Sequence, residues 1–226
     1  MNLSDAIENL RIVVTQITTA ALSDDKTPLG NFLALSEQGK LFNTGESSSN
    51  IVIFGDLNRF KALNDAYGHD VGDEAIQQAG LKLQGLLEEN PKEIQAFRRS
   101  GDEFVVLTTS AYLEKFLEAT ESFAKLNFNF ENQNLSVAMS FGYTESDGEA
   151  SFGDLIKRAE SACLAAKRRG DGVCVEWTAD LEKEKYHEFR KIECKGCGAI
   201  VTCEVPDKSE FPLPKVCPCC EKSISP

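Results

Sequence analysis

The sequence contains no apolar run near the roughly 20 residues that a membrane-spanning helix requires. Its first residues also lack the basic segment followed by an apolar segment that is typical of a secretory signal. These two absences predict a protein that neither crosses a membrane nor enters a secretory pathway. The cytoplasm is therefore the default expectation, with no membrane partner.

Positive charge is scarce as well. The chain has 24 Lys and Arg residues against 36 Asp and Glu residues, a formal net charge of −12. Such a charge repels nucleic-acid backbones and anionic lipid surfaces, and the one basic cluster is Lys167, Arg168 and Arg169. Nucleic acid is therefore not an expected partner. A small phosphorylated ligand remains compatible, because a bound divalent metal reverses the local charge.

The 226 residues, 42% of them apolar, are enough for one good core and a small appendage. Hydrophobic periodicity predicts strands at residues 51–54, 94–99, 104–109, 128–130, 135–143 and 173–177. It predicts helices at residues 3–21, 31–35, 60–67, 73–89, 111–126, 151–169 and 179–190, and a loop at 37–50. This order favours an α+β or α/β fold, a sheet layered with helices.

Composition divides the chain into an N-terminal helix (1–22), a main domain (23–178), a linking helix (179–191) and a cysteine-rich module (192–226). The apolar stripe of the first helix alternates steps of four and three residues, the spacing of a coiled-coil seam. Its members are Leu3, Ile7, Leu10, Val14, Ile17 and Ala21. Its shortness favours packing on its own domain, and self-association stays open.

Two acidic positions stand out in the main domain. Asp56 ends the buried strand that begins at residue 51, and Asp102 lies in a predicted hairpin turn at residues 100–103. Adjacent central strands would bring the two carboxylates together, where they repel unless a cation lies between them. Oxygen ligands suit Mg²⁺ or Mn²⁺ bound with nucleotide phosphates, for in-line attack on phosphorus. The alternative is a capping aspartate and a solvated turn.

Longer motifs surround these residues. The segment FGDLNRFKALNDAYGHDVGD (54–73), followed by RRSGDEF (98–104), strongly resembles the GGDEF family of diguanylate cyclases. Further matches are DDKTPLGN (24–31), MSFG (139–142) and RAESACLAAK (158–167). The resemblance covers residues 24 to 177 and implies a nucleotidyl-cyclase, palm-like fold, whose helix-layered central sheet contains antiparallel strands.

The resemblance implies a site for two divalent metals, Mg²⁺ or Mn²⁺. Asp56 and Asp102 would hold the metals with help from the backbone carbonyl of Leu57. Glu103 would be the base or a second-metal ligand. A homodimer with one GTP per subunit would join two GTP into cyclic di-GMP and release two pyrophosphates.

The resemblance also implies the substrate-binding residues. Asn64 and Asp73 would read the guanine edge and select GTP over ATP. A related cyclase that makes a different cyclic nucleotide is a further alternative, and this pair argues against an adenine product. Lys61 and Lys167 would neutralise the β- and γ-phosphates, with Arg98 in support. The alternative is a degenerate member that binds GTP or a protein partner without turnover.

The chain departs from the family pattern in four places. Ser100 replaces the first loop glycine, which is tolerable if its φ is negative. Asn58 replaces an aspartate, and Asp171 replaces an arginine that helps to hold phosphates. An Arg-x-x-Asp product-inhibition motif is missing, since residues 91–94 read PKEI. Feedback through that motif is therefore not expected.

Six of the eight cysteines lie between residues 194 and 220. Crowding of this kind in a chain without a secretory signal favours metal over disulfides. Two C-x-x-C pairs predict one structural zinc bound by four thiolates: Cys194, Cys197, Cys217 and Cys220. A closed tetrahedral site leaves no position for catalysis, and metal binding would supply folding free energy. The expected role is contact with a protein partner or within a dimer.

Overall fold

The structure is a computed structural model of the chain. It describes residues 3–89 and 93–181, together with the backbone of two strands at 188–193 and 200–205. The chain forms two units, Met1–Thr178 and Ala179–Pro226. No helix in the described residues is long and apolar enough to cross a membrane.

The first unit contains six helices and seven strands among the described residues. The helices are α1 (Leu3–Leu22), α2 (Phe32–Asn43), α3 (Phe60–Tyr67), α4 (His69–Glu89), α5 (Ser110–Thr120) and α6 (Phe152–Arg169), with a 3-10 turn at Glu121–Phe123. The strands are β1 (Ile51–Leu57), β2 (Ile94–Ser100), β3 (Glu103–Thr108), β4 (Leu126–Phe130), β5 (Gln133–Val137), β6 (Met139–Glu145) and β7 (Cys174–Glu176). The second unit contributes a hairpin of β8 (Glu188–Glu193) and β9 (Ile200–Val205).

The central sheet has the strand order β2-β3-β1-β6-β7, with β1 antiparallel to both β3 and β6. β7 is parallel to β6, so the sheet is mixed. The apolar run at the start of β1 reflects burial on both faces of the sheet, since alternate residues enter two different cores. Ile51 and Ile53 pack toward α4, and Val52 and Phe54 pack toward α2 and α6. A mixed α/β fold with a helix-layered sheet is thus confirmed.

The strand β6 and the helix α6 approach each other closely at Gly142. A Cβ atom at this position would overlap the backbone nitrogen of Cys163 and the carbonyl oxygen of Ala159. This close approach brings α6 down onto the sheet, and the last turn of α6 carries Lys167.

Several predicted boundaries were wrong. Residues 37–43 belong to α2 rather than to a loop, because Gly39 accommodates the ring of Phe152 against the helix. The predicted strand at 135–143 is two strands that pair with different neighbours and are separated at Ala138. The helix predicted at 111–126 ends at Thr120, and α4 starts at His69 instead of Asp73. Residues 188–190, predicted as part of a linking helix, lie in β8.

The apolar stripe of α1 is exposed in the single chain. Leu10 and Ile17 each expose 64% of their surface, and Ile7 exposes 51%. The favoured expectation, packing of this stripe on its own domain, therefore fails for these residues.

The zinc prediction is not tested by the structure. Cys194, Cys197, Cys217 and Cys220 lie outside the described residues, and Cys203 lies on β9. The segment at 91–94, where the product-inhibition motif is missing, is only partly described, because residues 90–92 lie outside the described residues.

Candidate active site

The register of β1 and β3 brings two acidic residues to one end of the sheet. Asp56 is the Cα partner of Glu103, directly after Asp102 in the hairpin between β2 and β3. The backbone N–H of Leu57 reaches the carbonyl oxygen of Asp102 at 3.4 Å. The hairpin tip therefore lies beside the end of the buried central strand.

The ammonium group of Lys167 lies against the same strand end. Its Nζ forms an ion pair with Asp56 Oδ1 and donates to the carbonyl oxygen of Leu57 at 3.3 Å. Asp56 Oδ1 is buried, and its partner among the described residues is this ammonium group. A positive charge thus already contacts two of the groups that the sequence predicts as metal ligands.

Burial sets the protonation behaviour of Asp56. Desolvation is the largest effect and raises its pKa from the ordinary 3.8 to about 6. Lys167 opposes this shift, and the charge of the neighbouring Asp102 adds to it. The two carboxylates are therefore close enough to repel each other. A divalent cation, which carries twice the charge of an ammonium group, would relieve this repulsion.

The donor set at this strand end fits a divalent cation. Within the part of the chain that the structure describes, no three side chains of His, Cys, Asp or Glu form a complete metal site. Two carboxylates and a backbone carbonyl are instead a partial set of oxygen ligands. Mg²⁺ is commonly bound in this way, with one or two carboxylates and the remaining positions filled by water and substrate phosphates.

Cation binding at Asp56 is expected to depend on pH. Mg²⁺ should raise the melting temperature of the chain at pH 8, where Asp56 is ionised. The increase should disappear as the pH falls through about 6, the folded pKa. Without Mg²⁺, the raised pKa means that Asp56 lowers the stability of the fold as the pH rises from about 3.8 to 6.

Thermal denaturation with and without Mg²⁺ at several pH values measures this effect. Asp56→Asn is the control, since it should abolish the Mg²⁺-dependent increase at every pH. An increase that is equal at pH 5 and pH 8 would show that Asp56 is not the titrating ligand.

Glu103 is held in place by two neighbours. Arg99 Nη1 donates to Glu103 Oε2 at 3.1 Å, and the hydroxyl of Ser100 donates to the same oxygen at 2.8 Å. Ser100 is not among the described residues with positive φ, whereas Gly101 has a φ of +50°. The serine is thus compatible with the backbone of the hairpin, and its hydroxyl helps to orient Glu103.

Arg98 connects the hairpin tip to the loop at residues 23–31. Its Nε donates to the carbonyl of Gly101 at 2.9 Å, and its Nη1 lies 3.0 Å from Asp24 Oδ2. Asp24 in turn accepts from the backbone N–H of Thr27 at 2.9 Å. Arg98 and Asp24 are both largely buried. These contacts assign Arg98 a structural task, and its predicted support of phosphates stays a prediction.

The two predicted guanine-reading residues lie on neighbouring helices. The Oδ1 atom of Asn64, on α3, is buried without a hydrogen-bond partner among the described residues. Gly72 on α4 leaves room for this oxygen, since a Cβ there would overlap it. The next residue, Asp73, is exposed and pairs with Lys26 at 2.5 Å. Lys26 was not predicted as a site residue, although it lies in the motif at 24–31.

The start of α3 adds backbone donors to the site. Arg59 precedes the helix with a φ of +57°, an uncommon conformation for a residue other than glycine, and caps it with no side-chain hydrogen bond. The first N–H groups of this helix thus lack a side-chain acceptor within the described structure, and helix N-termini favour phosphate. Lys61 lies exposed in the first turn of the same helix.

Two departures from the family pattern contact each other. Asn58 Nδ2 donates to Asp171 Oδ1 at 2.6 Å and to the hydroxyl of Ser140 at 2.9 Å. Asn58 and Asp171 line a cavity of about 310 Å³ together with Arg59 and Tyr67. The amide of Asn58 and the carboxylate of Asp171 are therefore complementary as donor and acceptor.

The chain is similar to several larger proteins. It is 34% identical over 144 residues to the signaling protein YkoW of Bacillus subtilis, covering 60% of this chain and 18% of YkoW. It is 31% identical over 172 residues to the diguanylate cyclase VdcA of Vibrio cholerae, covering 73% of this chain and 49% of VdcA. The chain therefore spans less than half the length of either relative.

Solved structures share the fold. The diguanylate cyclase SiaD of Pseudomonas aeruginosa, solved with its activator SiaC, has a TM-score of 0.64 at 26% identity and covers 77% of this chain and 69% of SiaD. The coiled coil and GGDEF domain of DgcB from Caulobacter crescentus, solved with c-di-GMP, also has a TM-score of 0.64. This second similarity, at 23% identity over 76% of this chain and 94% of that one, concerns the fold alone.

The family model described as "Diguanylate cyclase, GGDEF domain" matches residues 21–172, which is more than half of the chain. The match includes the strand end at Asp56, the hairpin at Asp102 and the helix that carries Lys167. The chain belongs to the GGDEF family of diguanylate cyclase domains.

Proposed function

We propose that this chain is a diguanylate cyclase that condenses two GTP into cyclic di-GMP and two pyrophosphates. The observation that carries the proposal is the paired Asp56 and Asp102 at the end of β1, with a lysine ammonium on the Asp56 carboxylate. Such a site attracts cations and, through them, phosphates. Family membership and relatives named diguanylate cyclases support the same reaction.

Asp56, Asp102 and the backbone carbonyl of Leu57 would hold two divalent ions, Mg²⁺ or Mn²⁺. When bound, the ions would stabilise negative charge on the attacking and leaving oxygens. Lys61 and Lys167 would neutralise the β- and γ-phosphates, assisted by the first N–H groups of α3.

Asn64 and Asp73 would bind the guanine base. A buried amide oxygen without a partner and an exposed carboxylate are two acceptors, which suits the N–H groups on the guanine edge. Adenine would leave these two acceptors without hydrogen bonds, which costs binding free energy. Asn64 and Asp73 would therefore discriminate between GTP and ATP.

The reaction joins two nucleotides in two equivalent steps. In each step the ribose 3′-oxygen of one GTP forms a bond to the α-phosphorus of the other, and the bond from that phosphorus to the β-phosphate bridging oxygen breaks. Glu103, oriented by Arg99 and Ser100, would accept the 3′-hydroxyl proton. Pyrophosphate carries away the displaced electron pair.

Each subunit would bind one GTP, so the chain would act as a homodimer. The exposed apolar stripe of α1, with Leu10 and Ile17 about two-thirds exposed, supports self-association through this helix. The cysteine module at 192–226 would bind one structural Zn²⁺ and contact a protein partner or the dimer mate. In this proposed organisation the N-terminal helix spans residues 1–22 and the cyclase domain spans residues 23–178. The protein would act in the cytoplasm.

Pyrophosphate release tests the dimer requirement. The rate per chain with GTP and Mg²⁺ should increase with chain concentration and level off where the chain becomes dimeric, because two subunits supply one product. A dimeric sample that binds GTP but releases no pyrophosphate would favour the alternative, a degenerate domain that binds nucleotide without turnover. A rate per chain that is the same for monomer and dimer would contradict the dimer mechanism.

A further inference from the structure

Lys26 lies at the proposed guanine site, although the sequence motifs assign it no role there. Its Nζ is 2.5 Å from Asp73 Oδ1, and the two residues are 47 positions apart in the chain. Their side chains are 37% and 49% exposed, so the pair is open to a ligand. Exposed ion pairs contribute only about 0–1 kcal/mol to stability, so folding gains little from this one.

The loop that carries Lys26 is held firmly in place. The side chain of Asp24 accepts from the backbone N–H groups of Lys26, at 3.2 Å, and Thr27, at 2.9 Å. Arg98 clamps Asp24 from the hairpin strand β2. The side chain of Thr27 packs at Gly80 of α4, where a Cβ would meet it at 2.6 Å. Lys26 is thus presented to the first turns of α4 by a hydrogen-bonded loop that is anchored by the buried Thr27.

The pair offers an acceptor and a donor side by side. Guanine presents the complementary pair, an N1–H donor next to the O6 acceptor, whereas adenine presents an amino donor where guanine has O6. An ammonium group would bind O6 and would meet the adenine amino group donor against donor. Charge-assisted hydrogen bonds are about twice as strong as neutral ones.

We propose that Lys26 is a specificity-determining residue that donates to guanine O6 while Asp73 accepts from the adjacent N1–H. This inference rests on the proposed function, since it takes Asp73 as a guanine reader. Lys26 therefore adds recognition of O6 to the two acceptors of Asn64 and Asp73.

Calorimetric binding to the full chain tests the proposal. The probes are the α,β-methylene analogues of GTP and ATP with Mg²⁺, in which a methylene group blocks cleavage at the α-phosphorus. Lys26→Met should weaken binding of the GTP analogue about 10-fold and should not weaken binding of the ATP analogue. Lys26→Arg, which retains a cationic donor, should remain closer to the wild type.

A guanine analogue without O6 separates recognition from a structural effect. The corresponding 6-thioguanosine triphosphate analogue keeps the N1–H and has sulfur, a weak hydrogen-bond acceptor, in place of O6, so Lys26→Met should weaken its binding much less than that of the GTP analogue. Lys40→Met is the matched control, because Lys40 lies on α2 in an exposed pair with Glu37 and should leave all three affinities unchanged.

Two results would overturn the inference while leaving the proposed function intact. One is a Lys26→Met variant that loses affinity equally for the GTP and ATP analogues, or for neither. The other is tighter binding of the GTP analogue, which would mean that Lys26 competes with the base for Asp73. A wild-type chain that binds no GTP analogue would instead contradict the proposed function itself, and this inference with it.

Discussion

Asp102→Ala is expected to lower the rate of cyclic di-GMP formation by at least about 1000-fold, because it would remove a ligand of the metal ions that stabilise negative charge around the reacting phosphorus. Asp102 lies at the hairpin tip beside the end of β1, close enough to raise the pKa of Asp56. Removing one of two repelling carboxylates does not create a cavity in the core. The melting temperature without Mg²⁺ should therefore stay within a few degrees of the wild type.

The measurement is steady-state formation of cyclic di-GMP at saturating Mg²⁺ and GTP, with thermal denaturation of the same samples. Glu114→Ala is the matched control, since it removes an exposed carboxylate on α5 and should retain wild-type activity. Activity of Asp102→Ala within ten-fold of the wild type, in a folded sample, would show that Asp102 is not a metal ligand.

Gly142→Ala is expected to destabilise the fold by about 3 kcal/mol or more, or to prevent folding. The added methyl group would overlap backbone atoms of Cys163 and Ala159, which cannot rotate away as a side chain can. The facing helix cannot retreat at low cost, because Leu155, Ala159 and Ala162 are fully buried against the sheet. A shift of α6 would also displace Lys167 from the site.

Urea denaturation of Gly142→Ala and Gly85→Ala gives a direct comparison. Gly85 lies exposed in α4, and a Cβ there meets no described atom within 4 Å. That substitution should stabilise the chain by about 0.5–1 kcal/mol, through the higher helix propensity of alanine. Equal free energies of unfolding for Gly142→Ala and the wild type would mean that β6 and α6 are not packed as closely as described.

Much of the sheet could be predicted from local pattern. The run Ile51–Phe54 indicated a buried strand, and the structure extends it to Leu57 as the centre of the sheet. The apolar alternation at 135–143 concealed a break at Ala138, because Leu135 and Val137 of β5 continue directly into the apolar start of β6 and the two strands differ in their pairing partners. Small and polar residues after Glu37 suggested a loop, whereas packing of Phe152 on Gly39 favours helix.

The site was predictable where it depended on strand ends and less so where it depended on distant contacts. The meeting of Asp56 and Asp102 follows from a strand end and a hairpin tip in adjacent strands. The pairs Lys26–Asp73 and Asn58–Asp171 join residues 47 and 113 positions apart, with no periodicity that connects them. Asp171 could only be judged as an isolated loss of positive charge until its contact with Asn58 was visible.

Identification of the nucleotide product tests the central claim most directly. Purified chain with zinc bound, verified as a dimer, is incubated with GTP and Mg²⁺, and the products are identified by mass spectrometry and phosphorus NMR. The expected result is a cyclic dinucleotide with two 3′–5′ linkages and two pyrophosphates for each product molecule. Unchanged GTP, linear products or a cyclic mononucleotide from such a sample would contradict the assignment of this chain as a diguanylate cyclase.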